Sequence, residues 1–341
     1  MANIPNFPEP AWSSTRSEEL ESCPRKYFYK HYCSYQAWNG GSRQNDNEAR
    51  ESYFWKNRYS VSSWIGTKIH EGISRLFASR GLDVKDVVLE MVKLMQDEWI
   101  ISSERGRKLR DRGPLASRFP KNFLLMEHCL GDIDSEVLEE CLDKTEASLM
   151  AFKELAIRDE FFEAKGAGRY ACAEESSEDG KPKAFRSIEI EASDIQDKKV
   201  NVWAMFDCAY EIEPEKIVVY DWKSGREMRS RESSDVTETL VSYCKYVLGT
   251  KEANRDPEVT SIEAYELFLP SGVSYGGKVS SSEMIDIEER IRLQAKEIFR
   301  LHYLIKDDMQ NGMIECAPTP SENACRMCNF KSMCHHAWNR I

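Results

Sequence analysis

The chain has 341 residues, 41% hydrophobic and 11% aromatic, and a formal net charge of −11. That length can bury a sizeable core in one large domain or two ordinary ones, and the composition excludes a disordered chain. No apolar run reaches the roughly 18 residues of a membrane span. Met1 to Pro10 holds three prolines and lacks the apolar core of a secretory signal, so a cytoplasmic protein is expected.

Taken in order, Ser17 to Ser22 reads as a helical start, followed by the aromatic and basic stretch Cys23-Pro24-Arg25-Lys26-Tyr27. Residues 36–50, with Gly40-Gly41, read as a loop. A helix from about Ser63 carries Ile65, Ile69, Ile73, Leu76 and Phe77 on one face and ends near Gly81. From Asp83 to Lys165 the pattern is helical, with breaks at Gly113-Pro114 and Phe119-Pro120. Glu174 to Lys183 is an acidic turn region. Three strands follow: Ser187–Ala192, Val200–Tyr210 and Ile217–Lys223, the last two separated by the turn Glu213–Lys216. A helix over Asp235–Leu248, a strand over Ser261–Leu269, a loop with Gly272 and Gly276-Gly277, and a long helix over Glu283–Asn311 complete the pattern. This is an α/β core with a helical insertion. The chain divides into residues 1–80, an insertion over 81–185, and a core with a cysteine-rich tail over 186–341.

Hydrolysing a phosphodiester requires carboxylates to hold hard divalent cations, and a positive group beside the developing charge. Asp221-Trp222-Lys223 supplies both on one strand face, because residues i and i+2 point the same way. Asp-x-Lys strings also arise as exposed ion pairs; here an apolar run, Val218-Val219-Tyr220, leads directly into the charges. Asp207, read at the end of the preceding strand, adds a second carboxylate if the two strands pair as a hairpin. His70 is a candidate third ligand as a neutral imidazole. Glu189 and Glu191 are further carboxylates, or the solvent face of their strand.

Cys325, Cys328 and Cys334, spaced C-x₂-C-x₅-C, bring three thiolates within reach of one centre. The fourth ligand is either Cys23, giving a four-thiolate site suited to a 4Fe–4S cluster, or one of His335 and His336, giving a zinc site.

In this order, Cys-Pro-Arg-Lys-Tyr, Gly66-Thr67-x-x-His70-Glu71, a strand ending in Asp207, Asp221-x-Lys223-Ser224-Gly225 and the terminal cysteines resemble the RecB-type, iron–sulfur branch of the PD-(D/E)xK nucleases. That branch includes the CRISPR-associated exonuclease and the nuclease domain of the AddB helicase subunit. The resemblance covers residues 13–77 and 187–341. It implies a restriction-endonuclease-like core, a central mixed sheet flanked by helices, and a metal-dependent DNA nuclease. It further implies that His70, Asp207, Asp221 and the Trp222 carbonyl bind Mg²⁺ or Mn²⁺, with Lys223 acting on the water or the transition-state charge. Cys23, Cys325, Cys328 and Cys334 would hold a structural 4Fe–4S cluster that fastens the N-terminal helix to the tail. Two departures stand out. Ala204 replaces a glycine three residues before Asp207, and Thr239 replaces the glutamine of a Gln-x-x-x-Tyr helix, which weakens the assignment of Tyr243 to the site.

Arg105, Arg107, Lys108, Arg110, Arg112, Arg118 and Lys121 form a basic stretch that suits several phosphates or a solvated helix face. Arg226, Arg229 and Arg231 follow Lys223 closely. No feature specifies base recognition, so single strands or DNA ends are the expected substrate. The competing readings are a catalytically silent nucleic-acid-binding subunit of a helicase or defence complex, and a zinc-stabilised interaction protein.

Overall fold

A computed structural model describes residues 10–38, 46–116, 122–131, 133–173, 186–191, 199–225, 227, 232, 234, 236–252, 261–326 and 328–336. Gly40-Gly41, the 174–183 turn, Arg118, Lys121, Arg226, Arg229 and Arg231 lie outside them. Two units result. The first comprises residues 1–64, 97–135 and 294–341; the second comprises 65–96 and 136–293. Three of their four boundaries fall inside the helices Val61–Ala78, Val84–Arg112 and Ser281–Asp307, and the fourth follows the first residue of the helix Ser135–Lys153.

In the first unit, β1 (Ala11–Trp12) precedes the helix Ser14–Ser22, whose start is capped by the Ser13 hydroxyl accepting the Arg16 N–H. Cys23 breaks that helix in extended backbone, and Pro24 opens the next one at its first position, where a missing N–H costs nothing. Protein contacts join the N-terminal and C-terminal segments. Arg25 donates from Nε to the Cys316 carbonyl (3.0 Å) and from Nη2 to that of Met313 (2.9 Å), satisfying carbonyls at the end of the helix Met309–Glu315. Asn329 Nδ2 donates to the carbonyls of Trp55 and Arg58, and Phe330 packs on Tyr29 at 5.7 Å. The expected single helix over Glu283–Asn311 is two, Ser281–Asp307 and Met309–Glu315. Asp308 adopts extended backbone, and its carboxylate caps the second by accepting the N–H groups of Gln310 and Asn311.

Glu19 is 6% exposed and is held by Lys30 Nζ at 2.5 Å and His31 Nε2 at 3.0 Å. Burial works against its charge, but these partners outweigh it and bring the carboxyl to about 2 from an ordinary 4.5. Burial also lowers His31 from 6.5 to about 4, although Glu19 opposes this, so His31 is neutral near pH 7.

The second unit is built on a five-stranded sheet in the order β2 (Ala171–Ala173), β5 (Cys208–Glu213), β6 (Lys216–Lys223), β7 (Ser261–Phe268), β8 (Val273–Lys278). β6 and β7 are parallel and joined through the helix Glu238–Glu252; the other pairings are antiparallel. β3 (Arg186–Glu191) and β4 (Lys199–Ala204) pair antiparallel outside the five-stranded sheet. A mixed sheet flanked by helices is what a PD-(D/E)xK core requires. The expected strand Val200–Tyr210 is in fact two strands, β4 and β5, interrupted at Met205–Asp207. Asp207 therefore stands at the entry to β5 rather than at a strand end. Of the expected glycine loop, Gly272 stands in the turn before β8, whereas Gly276 and Gly277 lie within β8. Gly276, at φ +148°, lies so close to β7 that a Cβ would meet the Ala264 carbonyl oxygen at 2.0 Å. Here glycine marks a close backbone approach rather than a loop. Behind β6, Trp222 packs against Phe152 and Phe77, at ring separations of 5.3 and 6.5 Å, which fixes the strand laterally.

Two outcomes follow. Gly276→Ala should lower stability by about 3 kcal/mol, whereas Gly113→Ala, with φ +75° but open space around it, should cost about 1 kcal/mol; urea unfolding compares them. Because the folded pKa values of Glu19 and His31 both lie below their unfolded values, stability is fully present above about pH 6.5. It should fall as pH drops through 6.5 to 4 for His31 and through 4.5 to 2 for Glu19. Glu19→Gln should cost about 2 kcal/mol at pH 7, a gap that closes toward pH 2.

Candidate functional site

The antiparallel pairing of β5 with β6 and the parallel pairing of β6 with β7 converge at the C-terminal end of β6. The Asp207 N–H donates to the Tyr220 carbonyl (3.2 Å), extending the β5–β6 ladder by one residue. Asp207 Oδ2 accepts the Trp222 N–H at 2.5 Å, and its Oδ1 lies 3.2 Å from His70 Nδ1. His70 comes from the helix Val61–Ala78, at the margin of the buried row Ile65, Ile69, Ile73, Leu76 and Phe77. One turn earlier, Gly66 leaves room for Ser224, whose hydroxyl would be 3.0 Å from an added Cβ.

On the neighbouring strand, Asp221 is in register with Glu266 of β7, and side chains in register across a parallel pair share a face. Ile217 with Ile262 and Val219 with Ala264 form the apolar part of that face, which turns acidic at its end. Lys223 Nζ contacts Asp221 Oδ2 and lies 4.0 Å from Glu266 Oε1. The Thr237 hydroxyl donates to Glu266 Oε1 at 3.1 Å and accepts the Leu240 N–H at 3.4 Å, so it also caps the helix Glu238–Glu252.

Asp207, Asp221 and Glu266 are 7, 6 and 5% exposed, with Lys223 the ammonium placed between two of them. Burial raises the Asp221 carboxyl, and Asp207 beside it adds to the rise; Lys223 opposes both, leaving it at about 7. Burial also opposes the Asp207 charge, but His70, the Trp222 N–H and Lys223 outweigh it and hold Asp207 below its ordinary value. Burial disfavours the Lys223 ammonium, yet Asp221 and Glu266 prevail and raise its pKa. Lys223 is therefore a cation near neutral pH, not a base.

Among the described residues, no group of three or more His, Cys, Asp or Glu side chains is gathered as a metal site. His70 and Lys223 instead lean on the carboxylate oxygens. The donor set is nonetheless that of a hard divalent cation: carboxylate oxygens, one imidazole, and buried negative charge that a single ammonium does not balance.

Cys23, Cys325, Cys328 and Cys334 line one cavity in the first unit, together with Arg25, Lys26, Lys331 and His336. All four are half-buried and none is in a disulfide. Burial raises Cys328 to about 11. The thiols would release protons on taking up metal, and the nearby cations suit the thiolates that result.

Tyr243 lies on the helix Glu238–Glu252 with its ring 6.5 Å from that of Phe206. The side chains of Glu189 and Glu191 are outside the described set, although their strand is not. Within the basic stretch, Arg105 donates to the Phe123 carbonyl at 3.0 Å, a fastening inside the first unit. The sequence reading missed Glu266 and Thr237. The signal was present for Glu266: it interrupts the alternating row Ile262, Ala264, Phe268 in a strand that is otherwise apolar on that face.

A profile describing the PD-(D/E)XK nuclease superfamily matches residues 11–335. The chain belongs to the PD-(D/E)XK nuclease superfamily. No curated protein matches the chain. The superfamily's mixed sheet corresponds to β2 and β5–β8, and Asp221-Trp222-Lys223 supplies a (D/E)xK string where β6 ends.

In this PD-(D/E)XK protein, Asp221→Asn should stabilise the chelator-treated chain by about 1–2 kcal/mol, by removing one of two adjacent buried negative charges. Melting curves with and without chelator test this. A loss of stability on that substitution would show the charge cluster to be balanced without a cation.

Proposed function

We propose that this protein is a divalent-metal-dependent deoxyribonuclease acting on single strands or DNA ends, stabilised by a 4Fe–4S cluster. The observation that carries the reading is the junction of Asp207, Asp221, His70 and Lys223 at the end of β6, inside a superfamily of nucleases. Asp207 and Asp221 would hold Mg²⁺ or Mn²⁺, with His70 and the Trp222 carbonyl completing the protein ligands. A cation bound there supplies Lewis acidity toward a phosphoryl oxygen and an attacking water. Lys223, kept protonated by its carboxylate neighbours, stabilises negative charge on the phosphoryl oxygens as water adds and the leaving oxygen departs. The Trp222 N–H holds Asp207 in one orientation, so its free lone pairs stay aimed at the site. Glu266 receives Lys223 from the far side and limits where the ammonium can swing.

Cys23, Cys325, Cys328 and Cys334 would hold the cluster. A single zinc ion draws its thiolates to about 2.3 Å, whereas a four-iron cluster is itself several ångströms across. Cys23 and the three tail cysteines line one cavity, a four-thiolate donor set that suits the larger group. When bound, the cluster supplies a cross-link between residues more than three hundred positions apart in the chain.

Two measurements test the reading. With Mn²⁺ and end-labelled single- or double-stranded DNA, the wild type should release labelled products, and Lys223→Ala or Asp221→Ala should reduce the rate at least about 100-fold. Wild-type protein that cuts nothing, or variants that cut equally well, would leave a silent DNA-binding subunit as the better description. Anaerobically purified protein should absorb broadly near roughly 400 nm and contain iron and sulfide, and Cys325→Ala should lower both metal content and stability. A colourless preparation with one zinc would point instead to His336 as a ligand.

A further inference from the structure

A second charged cluster, in the first unit, takes no part in the chemistry above. Glu19 is its hub. Lys30 Nζ lies 2.5 Å from Glu19 Oε1, and Lys26 Nζ lies 3.9 Å from the same oxygen. His31 is on the other oxygen and is neutral near pH 7. Lys56 joins from the helix Asn47–Lys56. Ser52, one turn before it on the same helix face, donates from its hydroxyl to the Tyr29 carbonyl at 2.7 Å, which places Lys56 beside the turn carrying Lys30. Arg16 comes from the helix Ser14–Ser22 that also carries Glu19.

Lys26 and Lys30 thus contact one carboxylate that is already engaged, with Arg16 on the same helix and Lys56 beside the turn. The acids nearest Lys56 on its own helix are turned to other partners: Glu48 to the Tyr29 hydroxyl, Glu51 to Trp55 Nε1. Lys56 is half-buried and, among the described residues, has neither a hydrogen bond nor an ion pair. Burial lowers it to about 8, with repulsion from Lys30 and Arg16 adding to the effect. Half-buried like charges facing one another are costly unless an anion offsets them. In a chain of net charge −11, such a concentration does not arise from composition.

We propose that Arg16, Lys30 and Lys56 form a phosphate-binding site that holds a backbone phosphate of the nucleic-acid substrate. The ligand is an oxyanion with several acceptor oxygens, which suits ammonium and guanidinium donors converging from two helices and a turn. The nucleic-acid source rests on the proposed nuclease activity; the phosphate chemistry does not. Because the contact is to the backbone, it adds affinity without base preference.

The experiment measures binding of labelled single-stranded DNA by anisotropy in chelator, from 50 to 200 mM salt, for wild type, Lys56→Gln and Lys30→Gln. Lys56→Gln is the informative variant, since Lys30 also pairs with Glu19 and its loss perturbs folding. Lys56→Gln should weaken binding about 3- to 10-fold and make the slope of log K against log salt shallower by about 0.7, one phosphate contact on a single strand. In parallel, pyrophosphate should raise the melting temperature of wild type but not of Lys56→Gln. Unchanged affinity and slope, with pyrophosphate stabilisation lost, would mean that the site takes a free phosphate and that the DNA assignment is wrong. No change in either measurement overturns the site. Wild type that binds pyrophosphate but neither binds nor cuts DNA would count against the nuclease reading and leave the anion site standing.

Discussion

The parallel register of β6 on β7 is the constraint on which the candidate site depends. It places Asp221 beside Glu266 at the point where an apolar sheet face runs out, and the hairpin with β5 adds Asp207 from the other side. Three carboxylates are thereby buried around one ammonium. Such an arrangement is unfavourable for folding by itself, because each desolvated charge needs a partner. What holds it is elsewhere in the same unit. The aromatic rings of Phe77, Phe152 and Trp222 pack behind β6, and the buried row of the helix carrying His70 contributes apolar burial that does not depend on the site's charge state. The strain of the site is electrostatic, and the support is apolar.

The first unit meets a different difficulty. Its N- and C-terminal segments are far apart in sequence, so bringing them together carries a loop-closure cost that grows slowly with length. Arg25 on the carbonyls of Met313 and Cys316, Asn329 on those of Trp55 and Arg58, and Phe330 on Tyr29 offset that cost with direct contacts. Cys23 and the three tail cysteines share one cavity between the segments that these contacts join. The proposed cluster would add a metal–thiolate cross-link between the same two segments.

Much of this was legible in the sequence, for local reasons. Asp221 and Lys223 are two residues apart on a strand, so the pleat alone puts them together. The isoleucines of the His70 helix follow helical spacing, and every one of them is buried. The terminal cysteines are close enough in the chain for spacing to speak. Three features resisted for equally physical reasons. Asp207 was read at a strand end because Val200 to Tyr210 is continuously β-prone, and nothing local reveals the interruption at Met205–Asp207. The Gly276-Gly277 part of β8 was taken for a loop because Gly276 answers to the backbone of β7, a neighbour that the local sequence does not identify. Glu266 was passed over because a glutamate in a strand usually faces water; only the register with Asp221 shows where it points.

Net charge was the least informative number about this chain. Screening at physiological ionic strength confines exposed charges to about 8 Å, so a substrate phosphate responds to the groups beside it and not to the sum over the molecule. Around Glu19 the cations Lys30 and Lys26 are about one-third exposed or less, and Lys56 is half-buried. Screening there is weaker than on the open surface, so the local potential persists where the long-range field has decayed. The same argument applies with opposite sign at the end of β6, where buried carboxylates favour a divalent cation while exposed acids scattered over the chain do not. An acidic chain can therefore hold one site that attracts phosphate and another that attracts metal, because burial and not composition sets the reach of each.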